Sequence, residues 1–248
     1  PMKALVIGSG ERKVLFTAAH HANEWITAPL LLKFMEALAE GITVGGKLWG
    51  VDARTIEKAA TIHTVAMVDP DGVDLVTGGI APGTLEYASA ESLAARYPWV
   101  PFPEGWKANL LGVDLNLQYP AGWLNAREIK FAAGYTRPGP RDYVGRAPLS
   151  QQESKALAEY TRQVNPQLVL AYHTQGKAIY WQFRDCQVPG AQALAREFAR
   201  VSGYHMEDTP YESSFAGYKD WFIQAFRRPG FTIEAGSGEN PLPLSQFD

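Results

Sequence analysis

The stretch "VLFTAAHHANEWITAPLLLKFMEALAEG" (residues 14–41) settles the class of fold. "VLFTAA" is a short apolar, β-rich run and reads as a strand. From Ala28 to Glu40, Leu30, Leu31, Phe34 and Leu38 fall at helical spacing, and Gly41 is expected to end the helix. Between strand and helix stand His20, His21 and Glu24. A strand that hands the chain to a helix is the unit of an α/β fold.

The same alternation continues outward. "KALVIG" and "TIHTVAMV" (61–68) read as strands, and "DPDG" (69–72) as a turn. "VDL" (113–115) is expected to be a short strand, and residues 77–112 and 119–148 mainly long loops, with one helix near 84–96. Ser150-Gln151-Gln152-Glu153 has the pattern of a capping box opening a helix to about Asn165. "QLVLAYH" (167–173), "AIYWQF" and "GFTIEAG" (230–236) read as strands, "PGAQALAREFARVSG" and "YKDWFIQAF" as helices. The expectation is one α/β domain over residues 1–248. Its central sheet is mixed parallel and antiparallel, with helices on both faces.

Composition narrows the classes of function. The 248 residues are 46% hydrophobic and 20% charged, with a formal net charge of −3. No basic stripe offers itself to nucleic acid, and no apolar run approaches the ~20 residues of a membrane helix. The lone cysteine, Cys186, permits no internal disulfide. No signal segment is visible. The chain is expected to be a segment of a longer protein, with the compartment left open between bacterial cytoplasm and cell envelope.

Five histidines carry the candidate chemistry: His20, His21, His63, His173 and His205. His63 and His205 lie inside strand-like runs and read as hydrogen-bonded structural residues. His20, His21 and His173 lie at strand ends, as does Glu234, and functional residues gather at the carboxyl ends of strands in such sheets. Catalytic zinc takes three protein ligands and keeps its fourth position for water. By itself "HHANE" fits a metal turn or a helix start with a capping acid.

Five ordered segments resemble the zinc carboxypeptidase family: "HANEW" (21–25), "VDPDG" (68–72), "GVDLN" (112–116), "LAYHTQG" (170–176) and "FTIEAG" (231–236). The resemblance implies one Zn2+ ion held by His21, Glu24 and His173. It also implies Glu234 as general base and Asp114 as the carboxylate behind a zinc histidine. Lys107, in "WKAN", falls where the family has an arginine beside the oxyanion.

The departures bear on substrate. Leu117 stands where the family's carboxylate-clamping arginine is expected, and Ile223 about where its tyrosine would fall, with Tyr218 nearby but out of register. "GVDLNLQYPAGW", "PDGVDLV" and "GSGENPLP" resemble the branch of bacterial γ-D-glutamyl-L-diamino acid endopeptidases. That resemblance implies a muropeptide substrate, with meso-diaminopimelate or lysine after the scissile bond. Asn116 and Gln118 are the expected substrate contacts, with Arg127, Arg137 and Arg141 as further polar candidates. A metallocarboxypeptidase acting on ordinary peptides, and a non-catalytic peptidoglycan-binding relic, are the alternatives.

Overall fold

The computed structural model describes residues 2–247. In chain order the main elements are β1 (Leu5–Ile7), β2 (Arg12–Ala18), α1 (Thr27–Val44), β3 (Lys47–Leu48), β4 (Val51–Asp52), α2 (Ala53–Ala59) and β5 (Ala60–Val65). Then come α3 (Pro70–Thr77), α4 (Leu85–Ala94), α5 (Trp123–Ala132), α6 (Gln152–Val164), β6 (Leu168–His173) and β7 (Ala178–Tyr180). The chain closes with α7 (Ala191–Ser202), β8 (His205–Glu207), α8 (Tyr218–Phe226) and β9 (Gly230–Glu234). No helix among the described residues is long and apolar enough to cross a membrane.

Seven strands form one sheet in the order β1-β5-β2-β6-β9-β7-β8, and β3 pairs with β4 alone. The central strands β5, β2, β6 and β9 run parallel, while β1 and β7 are antiparallel to their inner neighbours. The mixed sheet expected from the sequence is therefore present.

Alternation along the strands divides the core between two faces. Leu15, Val169 and Ala171 point to one face and pack with Leu157 of α6 and Tyr218, Trp221 and Phe222 of α8. Val14, Phe16 and Ile62 point the other way, toward Met35 and Leu38 of α1 and Ala53 of α2. Leu170, Phe231 and Ile233 share that second face with Ala195 and Phe198 of α7. Both faces are covered by helices, which is why the central strands read as near-continuous apolar runs.

Several local expectations are corrected. Gly41 does not end α1, which runs on to Val44 and is closed by Gly45 at φ +73°. Gly41 instead lets α2 approach, since a Cβ there would lie 2.9 Å from that of Ala53. "DPDG" is a helix start: Asp69 caps α3 by accepting from the Gly72 N–H (3.2 Å), with Pro70 as its first residue. "VDL" is not a strand, because residues 115–117 form a 3-10 turn capped by Asp114. The second long loop contains α5, whose nine following residues after Trp123 carry a partly apolar stripe that the surrounding Gly and Pro obscured. Ser150 does not cap α6, which begins at Gln152 behind Gln151; Ser150 is bonded to Gln118. "AIYWQF" is strand only to Tyr180.

The sheet places the site. The chain leaves β2 toward β5 on one side, while β6 lies on its other side. A crevice opens at such a switch in connection, at the carboxyl ends of the strands.

Candidate active site

The turn after β2 is built on a strained residue. Ala19 is buried at φ +48°, in the left-handed region that costs a non-glycine residue of order 1 kcal/mol. Its N–H donates to Thr27 Oγ1 (3.0 Å), its carbonyl accepts from Asp69 N–H (2.9 Å), and Thr27 Oγ1 donates to the Glu24 carbonyl (2.7 Å). The chain thus reverses sharply, and residues 22–24 form one 3-10 turn. That turn puts His21 and Glu24 side by side.

β6 and β9 deliver the other groups. They are parallel neighbours with His173 opposite Glu234, at the carboxyl end of both strands. His21 Nδ1 lies 2.8 Å from Glu24 Oε1, His173 Nδ1 lies 2.8 Å from Glu24 Oε2, and the two Nδ1 atoms are 3.3 Å apart. The three groups converge on one point, with the two imidazoles against different oxygens of Glu24. Two imidazoles and a carboxylate are also the donor types zinc takes, so the residues fit the ion. All three side chains are buried.

The remaining ring nitrogen of His21 is oriented from behind. Its Nε2 lies 3.1 Å from Asp114 Oδ1. Asp114 also accepts from the N–H groups of Asn116 (3.1 Å) and Asp142 (3.3 Å). Burial would raise the Asp114 carboxyl, but His21, Lys107 and Lys130 outweigh it and hold it below the usual range. For His21, burial lowers the basicity, yet Glu24 and Asp114 outweigh it and push the imidazole up to about 9. A proton therefore competes with a metal for this nitrogen. Burial drives His173 down, and the cations around Glu24 keep its carboxylate well below the usual range despite its burial.

Lys107 reaches the same point from the loop before residue 112. Its Nζ is 3.5 Å from Glu24 Oε1. Its backbone carbonyl accepts from Ala22 N–H (3.1 Å) and its N–H donates to the Pro140 carbonyl (2.8 Å), so the metal turn and two loops are tied together. Burial opposes its charge, but Glu24 and Asp114 hold the ammonium above its ordinary pKa. Glu234 is pushed up to about 8, first by burial and then by Glu24, against the pull of Lys107 and His21. A carboxylate so placed is basic enough to exchange protons near neutrality.

His21, Glu24, His173, Lys107, Asp114, Asn116 and Glu234 share one cavity of about 210 Å³. Leu117 lines it too, an apolar side chain at the place expected for the clamp arginine. Asn116 Oδ1 accepts from Tyr218 N–H (3.0 Å), which aims its amide along the wall. Gln118 does not reach the cavity: it is fully buried, and its Oε1 accepts from Ser150 and Gln151 N–H (2.9 and 3.1 Å) while its amide binds the Val144 carbonyl. Gln118 ties down the loop that ends the long insertion, so the expectation of a substrate contact is corrected.

His20 is buried behind the cluster. Its ring stacks on His173 (5.5 Å, 21°), and burial followed by the neighbouring His173 holds it neutral. His63 binds Tyr160 (2.8 Å) and His205 pairs with Glu207 at the surface, both away from the site. Ile223 lies on the core face of α8, buried, and cannot serve as a pocket residue. The loop before α8 instead exposes Tyr211, beside Pro210 and Ser213 at the cavity wall. Arg127 and Arg137 are exposed, with Arg127 over the Phe131 ring. Arg141 pairs with Asp142 (2.6 Å) and lines an outer groove that meets the cavity at Lys107 and Glu234.

Sequence reasoning does not point to four charged residues of the cavity: Lys130, Asp142, Lys219 and Asp220. Lys130 Nζ pairs with Asp142 Oδ1 (2.6 Å). No local pattern marks them, since α5, the loop that carries Asp142 and α8 bring them in from separate parts of the chain.

The full length, residues 1–248, matches the family model described as zinc carboxypeptidase. The chain is 45% identical over 248 residues to γ-D-glutamyl-L-diamino acid endopeptidase 1 of Lysinibacillus sphaericus, covering all of this chain and 60% of that protein. It is 36% identical over 236 residues to the uncharacterized protein YqgT of Bacillus subtilis, covering 95% of this chain and 61% of that one. The chain thus spans about 60% of the length of these curated relatives. Its fold matches the crystal structure of thrombin activatable fibrinolysis inhibitor at a TM-score of 0.73, with 18% identity over all of this chain and 61% of the other. A full-length family match, a 45% identical relative and the converging His–Glu–His set lead to one conclusion: this chain belongs to the zinc carboxypeptidase family.

Proposed function

We propose that residues 1–248 form the catalytic domain of a zinc-dependent peptidase. Its substrate would be a peptidoglycan stem peptide, cut at the amide joining γ-D-glutamate to meso-diaminopimelate or lysine. The observation that carries the catalytic reading is the convergence of His21, Glu24, His173 and Glu234 in one cavity at adjacent strand ends. The substrate reading is supported by the 45% identical relative of that named activity and by Leu117 lining the cavity where a carboxylate clamp would be cationic.

His21, Glu24 and His173 would hold the ion. When bound, zinc supplies an acidified water and polarises the substrate carbonyl. Glu234 takes the proton from the attacking water as its oxygen adds to the amide carbon, then gives that proton to the nitrogen as the C–N bond breaks. Lys107 sets its ammonium beside the oxygen that becomes negative, fixed in place before the reaction begins. Asp114 keeps the His21 ring oriented throughout. The products are a free γ-carboxylate and a free α-amine.

The deciding assay pairs L-Ala-γ-D-Glu-meso-diaminopimelate with an ordinary peptide carrying a free C-terminus, with zinc measured on the same sample. Cleavage of the first alone supports the proposal. Release of a terminal amino acid from the second, with the first intact, replaces it by the carboxypeptidase reading. A protein that holds no stoichiometric zinc and is not restored by adding it is the non-catalytic relic.

A further inference from the structure

Where α3 begins, one buried acid is only half bonded. Asp69 is 0% exposed, and its Oδ1 accepts from Gly72 N–H (3.2 Å), but its Oδ2 has no hydrogen-bond partner among the described residues. A second buried group is in the same state. Ala108, also fully buried, donates its N–H to the Pro140 carbonyl (3.0 Å), while its own carbonyl accepts nothing among the described residues. The two oxygens face each other at Gly72, where a Cβ would lie 2.2 Å from Asp69 Oδ2 and 2.8 Å from the Ala108 oxygen. Only glycine leaves room for this meeting.

Two acceptors brought together in a protein interior repel, and each forfeits the bonds it made in water. A single proton removes both penalties, because a neutral carboxylic acid has one O–H to donate. The surroundings favour that form. The charged groups that face Asp69 are Glu153 in the first turn of α6, Asp71 in α3 and His21 in the metal turn, two carboxylates against one imidazole. Glu153 is held there by Asn109 Nδ2 (3.3 Å), the residue after Ala108. Burial first, then Glu153, keeps the Asp69 carboxyl well above the usual range, against the pull of the Gly72 N–H.

We propose that Asp69 is a neutral acid whose Oδ2–H donates to the Ala108 carbonyl, and that this bond positions Lys107. Resting on the function proposed above, in which Lys107 stands beside the developing oxyanion, this makes Asp69 a positioning residue for the reaction. Lys107 and Ala108 offer two N–H groups and two carbonyls. Both N–H groups donate to the Pro140 carbonyl, and the Lys107 carbonyl accepts from Ala22 N–H. The Ala108 carbonyl is the one left, and Asp69 ties it to α3. The Asp69 N–H meanwhile donates to the Ala19 carbonyl (2.9 Å), at the left-handed turn that sets His21. One residue thus joins the metal turn through its backbone and the lysine loop through its side chain. Loss of the proton turns the second joint into a repulsion and leaves the first intact.

The test compares Asp69→Asn and Asp69→Leu with the zinc-loaded wild type. An asparagine amide can donate to Ala108 and accept from Gly72 at every pH, whereas leucine does neither. Asp69→Leu is expected to keep its zinc and lose about tenfold in kcat with little change in KM, and Asp69→Asn to restore kcat to within about twofold. Two readouts need no substrate. The infrared difference spectrum between wild type and Asp69→Asn at neutral pH should show the C=O stretch of a carboxylic acid. The acid is neutral in the folded protein and ionised above ~3.9 in the unfolded chain, so it costs the wild type stability as pH rises. The thermal midpoint of Asp69→Asn should therefore gain on the wild type from about pH 5 to about pH 8. If Asp69→Leu does not fold, these two readouts carry the test. A carboxylate band in place of the acid, a gap that stays constant with pH, a folded Asp69→Leu with wild-type kcat, or an Asp69→Asn that neither folds nor outperforms Asp69→Leu overturns the inference. A zinc-loaded wild type that cleaves no peptide overturns the peptidase reading and with it the part of Asp69 in the reaction. The acid band and the widening gap separate that result from a failure of the hydrogen bond.

Discussion

The two ends of the cavity are built on different principles. At one end, strand ends and the turn after β2 hold His21, Glu24, His173 and Glu234, with Asp114 and Lys107 behind them. At the other, the start of α8 holds the ion pair Lys219–Asp220, while Lys130 of α5 and Asp142 pair beside Asp114. The first end presents lone pairs converging on one point, which suits a metal and the water it activates. The second presents a buried pair of opposite charges. The first group sits on strand ends, where register fixes atoms closely, and the second on the first turn of a helix.

Removing a metal donor should have the largest effect. His21→Ala is expected to lose stoichiometric zinc and all measurable turnover. His20→Ala should keep its zinc, because His20 stacks on His173 without lying in the cluster. Elemental analysis of the two variants decides this, and the reverse pattern would move the site by one residue.

Glu234→Gln separates binding from proton transfer. Zinc should remain at one ion per chain while kcat falls by about 10²–10⁴. A zinc-loaded variant with wild-type kcat would remove Glu234 from the reaction. Lys107→Met should cost less, about 10²–10³ in kcat with a smaller change in KM, since its charge matters most when the oxyanion forms. A change confined to KM would assign Lys107 to substrate binding and blur the division between the two ends.

The smallest effect is on stability. In the metal-free protein Glu234 titrates at about 8, above its unfolded value of ~4.3. The folded state therefore binds this proton more tightly, and the associated stability is present below the unfolded value and lost as pH rises through about 8. Metal-free Glu234→Gln should gain on the wild type in thermal midpoint between pH 5 and pH 9. His21, pushed up to about 9, adds a loss of the same sign to both proteins. A constant gap would mean that partial burial and the Glu24 charge do not raise Glu234 as described.

The long segments between the motifs were the least legible. α5 was missed because Gly122 and Gly134 bracket a short helix whose exposed face carries Leu124. Gln118 looked like a pocket residue because it follows Asn116 and Leu117, yet a 3-10 turn at 115–117 rotates it into the protein, where Ser150 and Gln151 need its oxygen. Ile223 was a register error: counting along α8 cannot reveal which face meets the core, whereas packing against β6 and β9 does.

The alternation of strand and helix, the acid three residues after His21, and the apolar runs ending in His173 and before Glu234 are local patterns, and the sequence alone determined them. Short-range sterics and periodic burial act over a few residues and leave a readable trace. Which charged side chains meet in the cavity was decided by tertiary structure. Lys130 and Asp142, or Lys219 and the Gln182 carbonyl, come together because the sheet fixes where α5, α8 and the loops between them close, and each pairing is stable only where burial removes competing water.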